Sequence, residues 1–272
     1  MAAMKSAIAI HRYVPDFGLG GFGLGLLLAL GVGFAVVAAG PARADLPSDP
    51  NPVVVELFTS QGCSSCPPAD AFLGELAKRS DVLALSLHVD YWNYIGWKDP
   101  FSSPAMTARQ RAYSRSMGRR YVFTPQMVIG GKLQEVGSKT AKVERAIAKV
   151  KRQASSKLRI EIVSKGAGKA VVRIPASKSS PASTTATVWL VGFDNLHTTP
   201  ITSGENSGRT ISYYHVVRAI RPIGSWGGKA MEIAVNLTQQ GIEKFENCAV
   251  IVQRGKTGPI LGAVAVPMSS LR

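Results

Sequence analysis

The stretch Val53-Val54-Val55-Glu56-Leu57-Phe58-Thr59-Ser60-Gln61-Gly62-Cys63-Ser64-Ser65-Cys66-Pro67-Pro68 sets the frame for the rest of the chain. Its first seven residues are a nearly continuous apolar run rich in β-branched side chains, the composition of a strand buried on both faces. The run breaks at Gly62, and two cysteines three positions apart follow where a helical pattern begins. Pro67 and Pro68 fall in the first helical turn, where a missing N–H costs least because those donors have no intrahelical partner. Apolar residues then recur at 69, 72, 73, 76 and 77, a helical period, before residues 82–89 return to strand character. Strand, helix and strand in succession make a βαβ unit with an expected right-handed crossover.

Working outward, residues 90–100 form a loop rich in aromatic side chains, and 103–118 read as a helix carrying Thr107, Arg109, Gln110, Arg111 and Tyr113. The polar residues of that helix make either a solvated face or a substrate clamp. Residues 121–129 read as a strand entered through Thr124-Pro125, Gly130-Gly131 as a hairpin turn, and 133–136 as the return strand. A helix over 138–152, apolar at 143, 146, 147 and 150, closes an α/β domain spanning 53–153. Beyond it the pattern changes to short alternating runs at 158–163, 170–174, 186–193, 210–218, 231–235, 249–253 and 260–266, separated by Gly, Ser, Pro and Asn. This spacing predicts a second, all-β domain over 157–272, an antiparallel sandwich.

Residues 1–44 have the parts of an export signal: Lys5 and Arg12, an uncharged stretch from 17 to 40, and Ala42-Arg43-Ala44 as a small-x-small cleavage site. The uncharged stretch is also long enough for an uncleaved membrane anchor, although its glycines weaken it as a permanent helix. Either way the remainder is expected to be periplasmic or secreted, and 45–52, with three prolines, reads as an extended lead-in. Of the chain's formal charge of +15, the segment 1–44 carries +2 and the mature part +13. Such a charge fits either a plain solvated surface or attraction to an anionic membrane or wall. A nucleic-acid partner is not expected of an exported chain without zinc-finger or RNA-binding signatures.

Three cysteines are too few to staple a fold, so the fold rests on its core. Cys248, in the apolar run 248–252, reads as a small buried hydrophobe rather than a third redox or metal-binding thiol. Cys63 and Cys66 admit three readings. As a redox-active pair, Cys63 is the nucleophile because it lies next to the exposed strand end and near the positive end of the helix dipole, while Cys66 is shielded and resolves the mixed disulfide. Ser64 and Ser65 between them favour the thiolate, setting the Cys63 pKa below the free value of about 8.5. Alternatively the pair is a static disulfide of an envelope binding protein, or it joins His88 in a copper site. A zinc site lacks ligands, since no second CxxC or HxxxH occurs. No separate cofactor is expected; the disulfide itself carries the electrons.

Thr124-Pro125, about sixty residues after the cysteines, resembles the place where thioredoxin-like folds set a cis-proline beside the dithiol. More closely, the segments Phe58 to Asp70, His88-Val89-Asp90-Tyr91-Trp92-Asn93, Asp99-Pro100-Phe101-Ser102, Arg109-Gln110 and Tyr121 with Thr124-Pro125-Gln126 look like the exported bacterial family catalogued as domain of unknown function 1223. The resemblance spans most of residues 52–270. It implies a thioredoxin-like domain followed by a β-rich one, with no settled substrate. The chain lacks the Trp-Cys-Gly-Pro-Cys signature of thioredoxin itself, so neither potential nor partner carries over. Within this frame Pro125 is expected to dock substrate backbone and Thr124, Tyr91 and Trp92 to bind substrate, Trp92 with Trp97 as an apolar platform, or else the aromatics pack between the two domains. His88 or Asp90 is expected to move a proton between the sulfurs, or else His88 is a hydrogen-bonded core residue. The expected activity is thiol-disulfide exchange with a protein or small thiol partner of the cell envelope.

Overall fold

In the computed structural model, residues 46–153, 158–177 and 185–272 are described. The expected signal over 1–44 and the link between the two expected domains at 154–156 lie outside them. The first half runs β1 (Val53–Thr59), α1 (Pro67–Ala77), β2 (Val82–His88), α2 (Pro104–Ser116), β3 (Gln126–Ile129), β4 (Leu133–Val136) and α3 (Thr140–Arg152). β1 pairs in parallel with β2 and antiparallel with β3, and β3 with β4. β3 is shorter than the expected 121–129. Residues before it are held instead by side chains: Ser114 Oγ donates to the carbonyls of Arg119 and Tyr121, and Gln110 Nε2 to that of Phe123.

The second half does not close on itself as a separate sandwich. β7 (Ala186–Pro200), β8 (Thr210–Trp226), β10 (Asn247–Arg254) and β11 (Ile260–Pro267) extend the first sheet, giving one eight-stranded mixed sheet in the order β11-β10-β7-β8-β2-β1-β3-β4. Only β5 (Glu161–Ser164), β6 (Lys169–Ile174) and β9 (Met231–Asn236) form a second, antiparallel sheet. The physical reason lies in two unmet demands. β2 is buried along its whole length and its outer edge needs hydrogen-bond partners. β10 is buried on both faces, whereas a strand on the outside of a sandwich keeps one face wet.

Side-chain alternation along β10 shows the layers. Cys248, Val250 and Val252 point into a core shared with the three-stranded sheet, while Ala249 and Ile251 point into a core shared with β1, β2 and α2. Cys248 is thus a buried core thiol, and burial pushes its pKa up to about 12. A third core lies between α1, α3 and the β1–β3 end of the sheet. Among the described residues no helix is long and apolar enough to cross a membrane.

One charge sits inside the otherwise apolar β1. Glu56 is buried and meets Arg109 of α2, whose Nε donates to Glu56 Oε1 at 2.6 Å. Tyr113 donates to the other carboxylate oxygen, and Gln253 of β10 bonds both Arg109 and the Tyr113 hydroxyl. The guanidinium also lies 5.1 Å from the ring centroid of Trp189 on β7. Arg109 and Gln110 are therefore buried ties rather than a solvated face, and only Arg111 of the three is exposed. Replacing Arg109 by Ala leaves Glu56 buried without its counter-charge. The expected loss of stability is about 3–5 kcal/mol, read from urea unfolding.

Candidate functional site

After β1 the chain makes a tight turn. Gly62 N donates to Ser60 Oγ and Cys63 N to the Ser60 carbonyl, and a Cβ at Gly62 would stand 3.3 Å from the Trp92 carbonyl and Cβ. Cys63 and Cys66 are joined in a disulfide with Cα atoms 5.4 Å apart. Cys66 occupies the position just before α1 and its carbonyl receives the amides of Ala69 and Asp70, so the pair stands at the helix N-terminus. Both cysteines are enclosed, at 2% exposure for Cys63 and 0% for Cys66, whereas Ser64 and Ser65 between them are open to solvent.

Thr124 and Trp92 come together with the disulfide. The Thr124 hydroxyl accepts from Trp92 Nε1 at 2.8 Å and donates to Cys63 Sγ at 3.2 Å, and Ser65 Oγ lies 3.4 Å from the same sulfur. Two hydroxyls thus lie within hydrogen-bonding reach of one sulfur, and the Ser65 hydroxyl also lies 3.5 Å from the Thr124 carbonyl. The Thr124–Pro125 bond is cis, and Pro125 is buried. Tyr91 stands further back. Its hydroxyl donates to Gln110 Oε1, and Gln110 in turn bonds the Phe123 carbonyl and Gln126, so this pair braces the approach to Pro125.

His88 and Asp90 part company. Asp90 turns to α2, where its carboxylate accepts from the Thr107 hydroxyl and its amide donates back to it. His88 is fully buried, with Nδ1 2.7 Å from Asp99 Oδ2 and rings of Phe101 and Tyr213 edge-on to it. Asp99 also accepts from the amides of Gln61 and Phe101. Burial pushes the Asp99 carboxyl up, but His88 and these hydrogen bonds prevail and hold it below the usual carboxylate value. Gln61 is thereby fixed from below by Asp99, and its side chain bonds Trp97 Nε1 and Thr199 Oγ1. Among the described residues no three His, Cys, Asp or Glu side chains are grouped to hold a metal ion.

Two contributors escape the sequence reading. Asp70, one turn beyond Cys66 on the same face of α1, is buried with neither carboxylate oxygen hydrogen-bonded among the described residues. Burial pushes its pKa from 3.8 up to about 7, against the opposing pull of His88 and the nearby Thr59 hydroxyl. The signal was present: an acid placed among the apolar positions of an amphipathic helix. Asn206 is the other. From the turn between β7 and β8 its Nδ2 donates to the carbonyls of Gln61 and Cys63, at 2.9 and 3.0 Å. No local pattern signals a contact that spans 143 residues.

Comparison with known proteins places these residues in a family. Residues 54–253 match the family model described as "Protein of unknown function (DUF1223)", a span that contains every residue of the site above. A crystal structure of an Agrobacterium tumefaciens protein, determined by a structural genomics consortium, is 32% identical, with a TM-score of 0.68 over 79% of this chain and 93% of that one. No curated protein matches. The chain belongs to the DUF1223 family of proteins of unknown function.

Proposed function

We propose that the protein is an exported thiol-disulfide oxidoreductase built on a thioredoxin-like arrangement, with Cys63 and Cys66 as its working pair. The observation that carries this reading is the convergence of the Ser65 hydroxyl and the Thr124 hydroxyl, next to Pro125, on the Cys63 sulfur of a pair set just before α1. The order β2-β1-β3-β4 with helices on both faces supports the thioredoxin-like assignment. The export reading of residues 1–44 puts the partner, a protein or a small thiol, in the cell envelope.

Exchange then runs as follows. The Cys63 thiolate attacks one sulfur of a substrate disulfide, a new S–S bond forms, and the first substrate thiolate leaves and takes a proton from solvent. Cys66 gives its thiol proton to the Asp70 carboxylate and attacks Cys63 Sγ. The mixed disulfide breaks, the second substrate thiolate departs, and the Cys63–Cys66 bond re-forms. Two electrons pass from the dithiol to the substrate, and the reverse sequence oxidises a substrate dithiol. Asp70 suits the proton step because its carboxyl changes state near neutrality, where a group of ordinary pKa would stay ionised.

Equilibration of the purified protein against graded ratios of reduced to oxidised glutathione tests the reading. A single two-electron transition of Cys63 and Cys66 is expected, and Cys66→Ala is expected to accumulate the mixed disulfide on Cys63. A pair that never exchanges across the whole range removes the proposal in favour of a static disulfide.

Asp70 makes a separate prediction about pH. Its folded pKa lies above its unfolded one, so the folded state binds the proton more tightly between about pH 4 and 7, and its contribution to stability is lost as pH rises through that window. Asp70→Asn is therefore expected to match the parent near pH 4 and to exceed it at pH 8 by on the order of 4 kcal/mol in urea unfolding. The same variant is expected to lose the parent's dependence of mixed-disulfide resolution on pH around 7.

A further inference from the structure

Exchange needs an incoming sulfur to approach in line with the S–S bond, yet both cysteines of the pair are shut from solvent. Three segments make the enclosure. Trp92 and its neighbours lie over Gly62, Thr124 stands against Cys63 Sγ, and the turn joining β7 to β8, residues 201–209, sits on the loop that carries the cysteines.

The first two segments are tied into the apolar core or into the sheet. The third differs in what holds it. Its contacts with the cysteine loop and with the 92–97 loop are polar: Asn206 Nδ2 to the Gln61 and Cys63 carbonyls, Ser64 N to Glu205 Oε2 at 3.3 Å, and Ser203 Oγ to the Gly96 carbonyl at 2.6 Å. Gly204, at φ +73°, packs its bare backbone against Ile95 and Trp97, where a Cβ would come within 3.1 Å. Ile201 at the foot of the turn is 2% exposed and stays seated as the hinge, and water can replace each of these hydrogen bonds when the residues beyond it lift. The base of the turn is closed by its own ladder, Ile201 N to the Arg209 carbonyl and Gly208 N to the Ile201 carbonyl, so it can move as one piece. Asn206, at 1% exposure, is the innermost contact.

We propose that residues 202–208 are a cover over the Cys63–Cys66 disulfide that must lift before any thiol reaches it, hinged at Ile201 and Arg209, with Asn206 as the positioning residue that latches it. The cover makes the site selective by access: a thiol or dithiol that cannot wait for or displace the turn is excluded, whatever its reducing strength. Glu205 adds to the closed state, because its carboxylate occupies the Ser64 amide near the helix N-terminus that otherwise favours a thiolate. The inference rests on reading the pair as one that exchanges, but its test needs no biological partner.

Reduction of the oxidised full-length protein is followed over a series of dithiothreitol concentrations, with free thiols trapped by a maleimide and counted by mass. The rate is expected to level off as dithiothreitol rises, the plateau being the rate at which the cover lifts. Asn206→Asp keeps the shape but presents oxygen to two carbonyl oxygens, and is expected to react linearly with dithiothreitol and at least tenfold above the wild-type plateau. A second variant, with 202–207 replaced by Asn-Gly, removes the cover and is expected to behave alike, so the answer does not depend on the folding of the first. A wild-type rate linear throughout overturns the proposal, and so does a plateau that survives both changes. A plateau abolished by the variants in a protein that fails to equilibrate with glutathione keeps the cover and sinks only the oxidoreductase reading.

Discussion

The open edge of β2 is the constraint on which the architecture turns. β2 lies parallel to β1, both strands are buried from end to end, and a bare edge at that depth would leave carbonyls and amides without partners. β8 meets that edge over a short parallel contact, Ser86 opposite Val216. Next to it His215 adopts a left-handed backbone at φ +47° and places Nδ1 2.9 Å from the Ala84 carbonyl. A side chain thus takes over where the ladder of strand hydrogen bonds stops. The two halves of the chain are joined by this edge and by the Glu56–Arg109–Tyr113–Gln253 network, which links β1, α2 and β10 through a buried charge that none of them neutralises alone.

That junction brings the second half to the cysteines. β7 has 15 residues and β8 has 17, roughly three times an ordinary strand, and the pair remains hydrogen-bonded well beyond the edge of β2. Extended chain of that length reaches on the order of 50 Å, enough to anchor one end in the far core and to lay the other on the loop before α1. Register shifts at Val188/Trp189 and Gly192/Phe193 let the long ribbon bend while each end keeps its apolar side inward. The disulfide is therefore enclosed by residues from both halves, and Gln61 gathers contacts from Asp99, Trp97, Thr199 and Asn206.

Beneath the pair lies a buried polar group of Thr59, Asp70, His88, Asp99 and Tyr213. His88 and Asp99 satisfy each other on one side, while the Thr59 hydroxyl, the Asp70 carboxylate, His88 Nε2 and the Tyr213 hydroxyl make no hydrogen bond among the described residues. Burial, ahead of the Asp70 and Asp99 charges, raises the Tyr213 phenol and keeps it protonated. Buried polar atoms without partners are costly to the fold, and in Asp70 that cost shows as a carboxyl pushed up to about 7.

Much of this was legible in the sequence wherever a local period carries the information. β1 has the bounds expected of it, and α1, α2 and α3 follow the apolar repeats of 3.6 within two or three residues, because each helix buries one stripe. Cys63, Cys66, Thr124 and Trp92 meet because β1 and β2 end, and the antiparallel β3 begins, at the same end of the sheet, so the residues just after β1, just after β2 and just before β3 are neighbours. The sequence by itself also determined seven strands after residue 157, since alternation and turn residues are local. Only the tertiary structure decided which sheet they join, that β7 and β8 run long, that Arg109 and Gln110 turn inward, that Asp90 faces α2, and that Asn206 bonds the Gln61 and Cys63 carbonyls. The reason is that edge satisfaction, charge pairing and burial are settled between different segments, 17 residues apart for Asp90 and Thr107, 53 for Glu56 and Arg109 and 145 for Gln61 and Asn206, where neither period nor propensity reaches.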